Sequence, residues 1–244
     1  MGSLRSLSII IPAYNEARRL PATLQAIQRW LAGEELEFAE IVVVDDGSRD
    51  GTGEAARRAA AQDARVRLVE NPGNRGKGYA VRHGMREARG EWVLFTDADL
   101  SAPIGEMARL RAAVEAAGAD GAIGSRALDR GLIGKRQPAF RELSGRFFNL
   151  FTRLVTGLEF RDTQCGFKLF RRACVETIAA RQRIESFGFD VEILFIAAQH
   201  GYRIVEVPVR WQDAEGTKVS LWNGVAAFAD PLLVRWNDLR GRYR

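Results

Sequence analysis

Short aliphatic runs alternate with helix-spaced segments through the first half of this chain, and that alternation restricts the fold more than any other feature. Ser8-Ile9-Ile10-Ile11, Ile41-Val42-Val43-Val44, Val66-Arg67-Leu68-Val69, Trp92-Val93-Leu94-Phe95 and Gly121-Ala122-Ile123-Gly124 read as strands. Most are continuously apolar, as strands covered on both faces are. Between them, Leu20, Leu24, Ile27 and Leu31 recur at helical spacing, an Ala/Arg-rich helix runs from about Gly53 to Gln62, and another from about Gly78 to Ala88. Such alternation implies an α/β fold with parallel pairing and right-handed crossovers. Pro12 is expected to stop the first strand, and Ser101-Ala102-Pro103 to open a helix after the fourth. A chain of 244 residues suits one large domain of this kind.

The second half is less regular. Residues 126–146 carry Arg126, Arg130, Lys135, Arg136, Arg141 and Arg146 against Asp129 and Glu142, and read as a long basic loop, either solvated surface or a lid. Phe147, Phe148, Leu150, Phe151, Leu154 and Val155 follow as an apolar helical segment, then a helix over Phe189 to Ala198 and a strand over Ile204 to Val209. Near the end, Trp222, Val225, Ala229, Leu232, Trp236, Leu239 and Tyr243 alternate at spacings of three and four, with Arg235, Arg240, Arg242 and Arg244 among them. Asp230-Pro231 resembles an N-cap followed by a proline at the first helical position, so two helices are expected. This stripe either docks on the domain or lies on an anionic membrane surface, and the two are compatible. The chain is accordingly divided into a domain over residues 1–220 and an amphipathic helical tail over 221–244.

Composition excludes several classes. The 36 basic and 31 acidic residues leave a net charge of +5, too diffuse for nucleic-acid binding, and no nucleic-acid motif accompanies it. Cys165 and Cys174 form neither a metal-ligand spacing nor a disulfide framework, which fits a reduced compartment. No uncharged stretch approaches the ~18 apolar residues of a membrane span, and the first dozen residues show no signal-peptide pattern. A soluble or peripheral protein is expected.

Chemistry concentrates at strand ends. The first strand leads into Pro12-Ala13-Tyr14-Asn15-Glu16, the second into Asp45-Asp46-Gly47-Ser48 and the fourth into Asp97-Ala98-Asp99. In open α/β sheets the carboxyl ends of the strands are where ligands bind. Two carboxylates there need a cation or good hydrogen bonds to stay charged, and a hard divalent metal carrying phosphate oxygens satisfies both. Taken alone the tripeptide is equally consistent with a helix cap beside an exposed loop acid. Tyr14 could stack on a base, and nearby carboxylates could accept from base N–H or ribose hydroxyls. Asn74-Arg75-Gly76-Lys77-Gly78 places a glycine-flanked lysine before a helix, where backbone and cation could approach a phosphate, although a plain turn reads the same way. Neither a Walker loop nor a G-x-G-x-x-G after the first strand is present.

These motifs together resemble the family 2 glycosyltransferases of GT-A fold: Ile-Pro-Ala-Tyr-Asn-Glu, Val-Val-Asp-Asp-Gly-Ser-Arg-Asp-Gly-Thr, Asn-Arg-Gly-Lys-Gly and Thr-Asp-Ala-Asp-Leu, in that order. Downstream, Gly124-Ser125-Arg126, Asp162-Thr163-Gln164-Cys165-Gly166-Phe167-Lys168, Phe189-Asp190-Val191-Glu192, Glu206-Val207-Pro208-Val209-Arg210-Trp211 and Glu215-Gly216-Thr217-Lys218-Val219 are similar to polyprenyl-phosphate sugar transferases, above all the dolichyl-phosphate β-glucosyltransferases. The resemblance covers roughly residues 7–244. It implies a Rossmann-like, mostly parallel sheet flanked by helices, and an inverting, Mg²⁺- or Mn²⁺-dependent transfer of a hexose from a nucleotide sugar, UDP-glucose first, to a polyprenyl phosphate. Pro12, Ala13, Tyr14, Glu16, Asp45 and Asp46 match its nucleotide motif, with Gly76, Lys77, Ala98 and Lys218 nearby candidates; Asp97 and Asp99 match its metal motif; Arg126 and Arg141 match arginines that hold the acceptor phosphate.

Departures from the pattern are informative. Mannosyl relatives carry Gln where this chain has Ser101, the membrane anchor of eukaryotic glucosyl members is not found, and the Q-x-x-R-W of processive members is missing. A peripheral enzyme on the cytoplasmic face of a membrane is expected, making a lipid-linked hexose. GDP-mannose as donor, a soluble or glycan hydroxyl as acceptor, and a non-catalytic nucleotide-sugar binder are the alternatives. Exposure of Trp222 and Trp236 would favour the lipid, and Asp190 is the candidate base if the acceptor is a hydroxyl.

Overall fold

The computed structural model describes residues 4–134, 139–212 and 228–244, with only the backbone described at 139–143 and 146. Its strands are β1 (Ser6–Ala13), β2 (Phe38–Asp45), β3 (Val66–Glu70), β4 (Trp92–Thr96), β5 (Gly121–Ser125), β6 (Phe167–Arg171) and β7 (Ile204–Pro208). The helices are α1 (Leu20–Leu31), α2 (Thr52–Gln62), α3 (Lys77–Glu87), α4 (Met107–Ala117), α5 (Ala139–Thr156), α6 (Arg172–Arg181), α7 (Phe189–Gln199) and α8 (Ala229–Leu239).

The strands form one seven-stranded sheet in the order β3-β2-β1-β4-β6-β5-β7. β1 pairs parallel with β2 and β4, β2 with β3, and β5 with β7. Only β6 runs the other way, antiparallel to both β4 and β5. Alternate residues of each central strand feed opposite cores. Ile9, Ile11, Ile41, Val43 and Leu94 join α1 and α4 on one face. Ile10, Val42, Val44, Val93 and Phe95 join α3, α6 and α7 on the other. Burial on both sides is why these strands are continuously apolar.

Several sequence expectations are corrected. β1 runs through Pro12 to Ala13, because pairing with β4 has already ended at Ile10 and the absent proline N–H interrupts no β4 ladder there. After β4 the chain makes a short 3₁₀ turn, Ile104–Glu106, before α4 begins at Met107, so Ser101-Ala102-Pro103 precedes the helix instead of opening it. The basic loop is shorter than its sequence suggests: α5 begins at Ala139 and takes in Arg141 and Arg146. α8 starts at Ala229 with Phe228 in the cap position, leaving Asp230 in its first turn. The domain boundary drawn at residue 220, the expected first tail helix, Trp222 and Lys218 lie outside the described residues. The C-terminal segment from Phe228 onward packs closely: α8 lies against α5 and α7, and the Tyr243 side chain is fully buried.

Candidate active site

Sheet topology alone gathers the motifs. Parallel pairing puts the ends of β1, β2, β4, β5 and β7 on one edge, and the reversed β6 brings its beginning there, with Thr96 opposite Phe167. Residues 12–16, 45–48, 97–99, 126 and 165–167 therefore share one rim. The two positive-φ non-glycine residues among those described, Asn15 (φ 53°) and Leu100 (φ 47°), flank this rim. Held left-handed backbone of this sort clusters at functional sites. Asn15 is fixed by its N–H donating to Ser48 Oγ at 2.9 Å and by its Oδ1 accepting from Arg49 N–H at 2.9 Å.

Asp97 and Asp99 each face a cation. Lys77 Nζ lies 2.6 Å from Asp97 Oδ1, and Arg19 Nη1 lies 3.8 Å from Asp99 Oδ2. Asp99 Oδ1 also accepts the Ser101 N–H at 3.0 Å. The Asp97 carboxylate rests on Gly166, where any Cβ would overlap it. Burial disfavours the Lys77 ammonium, but Asp97, Asp190 and Asp99 outweigh it and leave its pKa raised. Carboxylate oxygens set side by side at the rim suit a hard divalent metal. Among the described residues, no cluster of three or more His, Cys, Asp or Glu side chains could complete such a site. Phosphate and water oxygens are ligands that such an ion also accepts.

The two acids ending β2 do different work. Asp45 caps its own turn, accepting the Ser48 N–H at 3.0 Å. Asp46 is almost fully buried and accepts from Asn71 Nδ2 (2.7 Å) and from the backbone N–H groups of Arg75 (3.1 Å) and Gly76 (2.8 Å). Asn71 Oδ1 in turn meets His83 Nδ1 at 2.7 Å, which requires the proton on Nδ1. Asp46 thus fixes the loop that delivers Lys77. Glu16 forms a two-pronged pair with Arg19, both contacts at 2.6 Å, while Tyr14 is exposed at the rim and Ala13 is buried.

On the other side of Asp97, Arg126 meets buried Asp162. Nε and Nη2 donate to the two carboxylate oxygens at 2.7 and 2.8 Å, and the Arg126 N–H donates to Oδ2 at 2.9 Å. Burial opposes both charges, yet the pairing keeps the Arg126 pKa raised and the Asp162 pKa lowered. Nη1 has no hydrogen bond among the described residues, and the side chain keeps partial exposure. Asp190 lies deeper, bonded to the fully buried Lys168, whose Nζ also donates to the Cys165 carbonyl at 2.6 Å. Burial raises the Asp190 pKa despite Lys168 and Lys77. Burial also pushes the Cys165 thiol up to about 12, so it stays protonated and inert. Glu192 is fully buried and accepts from Arg183 N–H, Ile184 N–H and the Tyr243 hydroxyl, a structural clamp. Arg141 lies on α5 but its side chain is outside the described residues, as is Lys218.

Sequence reasoning assigned no partners to Arg19, Gly166 or Lys168, and Asp162 was only part of a motif. The i, i+3 spacing of Glu16 and Arg19 was the one available signal for that pair.

The glycosyl transferase family 2 profile matches residues 8–179. A dolichyl-phosphate beta-glucosyltransferase from Drosophila melanogaster is 37% identical over 251 residues, covering 98% of this chain and 77% of the relative. The Homo sapiens protein of the same name is 33% identical over 253 residues, covering 98% and 78%. Among solved structures, glucosyl-3-phosphoglycerate synthase from Mycobacterium tuberculosis, in complex with Mn²⁺, UDP-glucose and phosphoglyceric acid, superposes with a TM-score of 0.70 at 18% identity, covering 95% of this chain and 80% of the other. Mannosyl-3-phosphoglycerate synthase from Rubrobacter xylanophilus gives 0.69 at 19% identity, covering 97% and 75%.

Proposed function

The chain belongs to glycosyl transferase family 2, and from that premise we propose that it transfers glucose from UDP-glucose to a polyprenyl phosphate with inversion, using Mg²⁺ or Mn²⁺. It is a glycosyltransferase of GT-A fold; donor, acceptor and metal are the proposed part. The observation that carries the reading is Arg126, held in a fork by buried Asp162 and lying 5.5 Å over the Trp211 ring, with no hydrogen bond from Nη1 among the described residues, on the same rim as Asp97 and Asp99. A cation fixed beside a diphosphate site suits an acceptor that is itself an anion. The glucosyl and dolichyl-phosphate assignments follow the names of the relatives.

Asp97 and Asp99 would hold the metal, which when bound neutralises charge developing on the departing nucleoside diphosphate. Tyr14, exposed at the rim, offers its ring to the base, and Asp45 and Glu16 are the carboxylates that would accept from ribose hydroxyls. Arg126 binds the acceptor phosphate and aims it at the face of the sugar opposite the diphosphate. A phosphate monoester has a second pKa of about 6, so it arrives largely dianionic and needs no general base. Asp190 is therefore relieved of that role and serves to hold Lys168.

An apolar surface adjoins the helical side. α5 exposes Phe147, Leu150 and Leu154, and α8 exposes Leu232, Leu233, Trp236 and Leu239. Phe228 packs against Phe147, Phe148 and Phe151, joining the two helices, and Arg240 lies 4.5 Å over the Trp236 ring. Apolar rows beside arginines suit an anionic bilayer surface carrying the lipid substrate. No described helix is long and apolar enough to cross a membrane.

Donor and stereochemistry are tested together by incubating the protein, polyprenyl phosphate and Mn²⁺ with labelled UDP-glucose or GDP-mannose, and reading the anomeric proton coupling of the product. A β-glucosyl phosphate from UDP-glucose is expected. An α-linked product, or transfer from GDP-mannose alone, would contradict the proposal.

A further inference from the structure

The carboxylate pair at the rim already contains a cation, and that cation belongs to the protein. Lys77 Nζ sits 2.6 Å from Asp97 Oδ1, on the acid expected to meet a metal. Among the described residues Asp97 is its one ion-pair partner. The ammonium lies in a slot of three aromatic rings, 5.5 Å from the centroid of Phe95 and 6.0 Å from those of Phe187 and Phe189. Asp190, the next acid in its field, is already bonded to Lys168. The main chain here is fixed: the Gly76 N–H is held by Asp46, and the N–H of Gly78 donates to the Glu185 carbonyl at 2.8 Å. The four-carbon stem of Lys77 is thus the adjustable part of an otherwise rigid loop.

We propose that Lys77 is the resident counter-ion of Asp97, and that a divalent cation enters between Asp97 and Asp99 by displacing its ammonium, which then turns to the diphosphate arriving with the metal; Arg19, 3.8 Å from Asp99, stays where it is. This rests on the donor-site reading above. Metal alone would confront a bound ammonium and find only two carboxylates. Metal with a diphosphate brings its own compensating negative charge and its own oxygen ligands, and gives Lys77 a new partner. Metal and nucleotide therefore bind in concert, and Asp97 keeps a paired cation between turnovers. The linkage is reciprocal, as any binding coupling must be.

The test is Mn²⁺ binding to the full chain, read from the free-ion resonance signal with and without UDP. Wild-type protein is expected to bind Mn²⁺ weakly alone and at least about tenfold more tightly with UDP. Lys77→Met is expected to bind Mn²⁺ alone at least about tenfold more tightly than wild type and to lose most of the gain from UDP. Lys77→Gln carries the same expectation should the methionine variant not fold, and Lys77→Arg, which keeps the charge, should leave affinity for Mn²⁺ alone near wild type. Neutral variants that bind Mn²⁺ no tighter than wild type overturn the displacement, with the donor site left standing. Failure of wild-type protein to bind Mn²⁺ even with UDP overturns the donor-site reading and this inference with it.

Discussion

Replacing Asp99 by alanine is expected to lower transfer at least about a thousandfold while the protein stays folded. Preorganised charge at a leaving group is among the largest single contributions to catalysis, with one lost donor already costing about 10²–10³-fold, and Asp99 would hold the ion that supplies it. Its structural commitments are small: one N–H from Ser101 at 3.0 Å and a distant Arg19. Losing that single bond costs about 1 kcal/mol. Asp97 is the poorer choice for this experiment, since it also holds Lys77 and packs on Gly166. Turnover and thermal unfolding measured on the same preparation check the prediction. An Asp99→Ala variant within about tenfold of wild type would remove this aspartate from the metal site.

Arg126→Ala carries the second large effect, in two separable parts. Truncation strands the Asp162 carboxylate, only 2% exposed, with backbone N–H groups as its remaining partners. Breaking one side of a buried pair typically costs about 3–5 kcal/mol, so the variant should melt early. A charge-assisted hydrogen bond to phosphate contributes about 1.5–3 kcal/mol, so the apparent KM for lipid phosphate should also rise about 10- to 150-fold, with the KM for donor changed little. Pairing Arg126→Ala with Asp162→Asn separates the two: stability should largely return while the acceptor defect remains. Recovery of acceptor affinity along with stability would mean that Arg126 only holds the fold.

The parallel part of the sheet was readable because burial on both faces writes itself as unbroken aliphatic sequence, as in Ile41-Val42-Val43-Val44. β6 was not. It carries Lys168, a charge where an apolar residue would be expected, tolerated because Asp190 and the Cys165 carbonyl receive its ammonium. Without β6 the strands look like a plain parallel series, although β4 and β5 are never neighbours. The candidate site divides the same way. Its carboxylates could be found from sequence because each ends a buried strand. The partners that control those carboxylates could not: Lys77 is twenty residues from Asp97 and Asp162 is thirty-six from Arg126, and only the sheet order brings them together. Asp46 shows the limit of motif matching, since its neighbour Asp45 looks equivalent in sequence while Asp46 is committed to positioning the Lys77 loop.

Central to the proposed mechanism is an attacking group that is a lipid-borne phosphate, held by arginine and needing no base. Its most direct test compares polyprenyl phosphate with the corresponding dephosphorylated polyprenol, each in vesicles with labelled UDP-glucose and Mn²⁺, by following label into the organic phase. Metal-dependent label is expected in the lipid fraction with the phosphate, and none with the alcohol. Equal transfer to polyprenol would contradict the mechanism, because a hydroxyl acceptor would need the base that it omits.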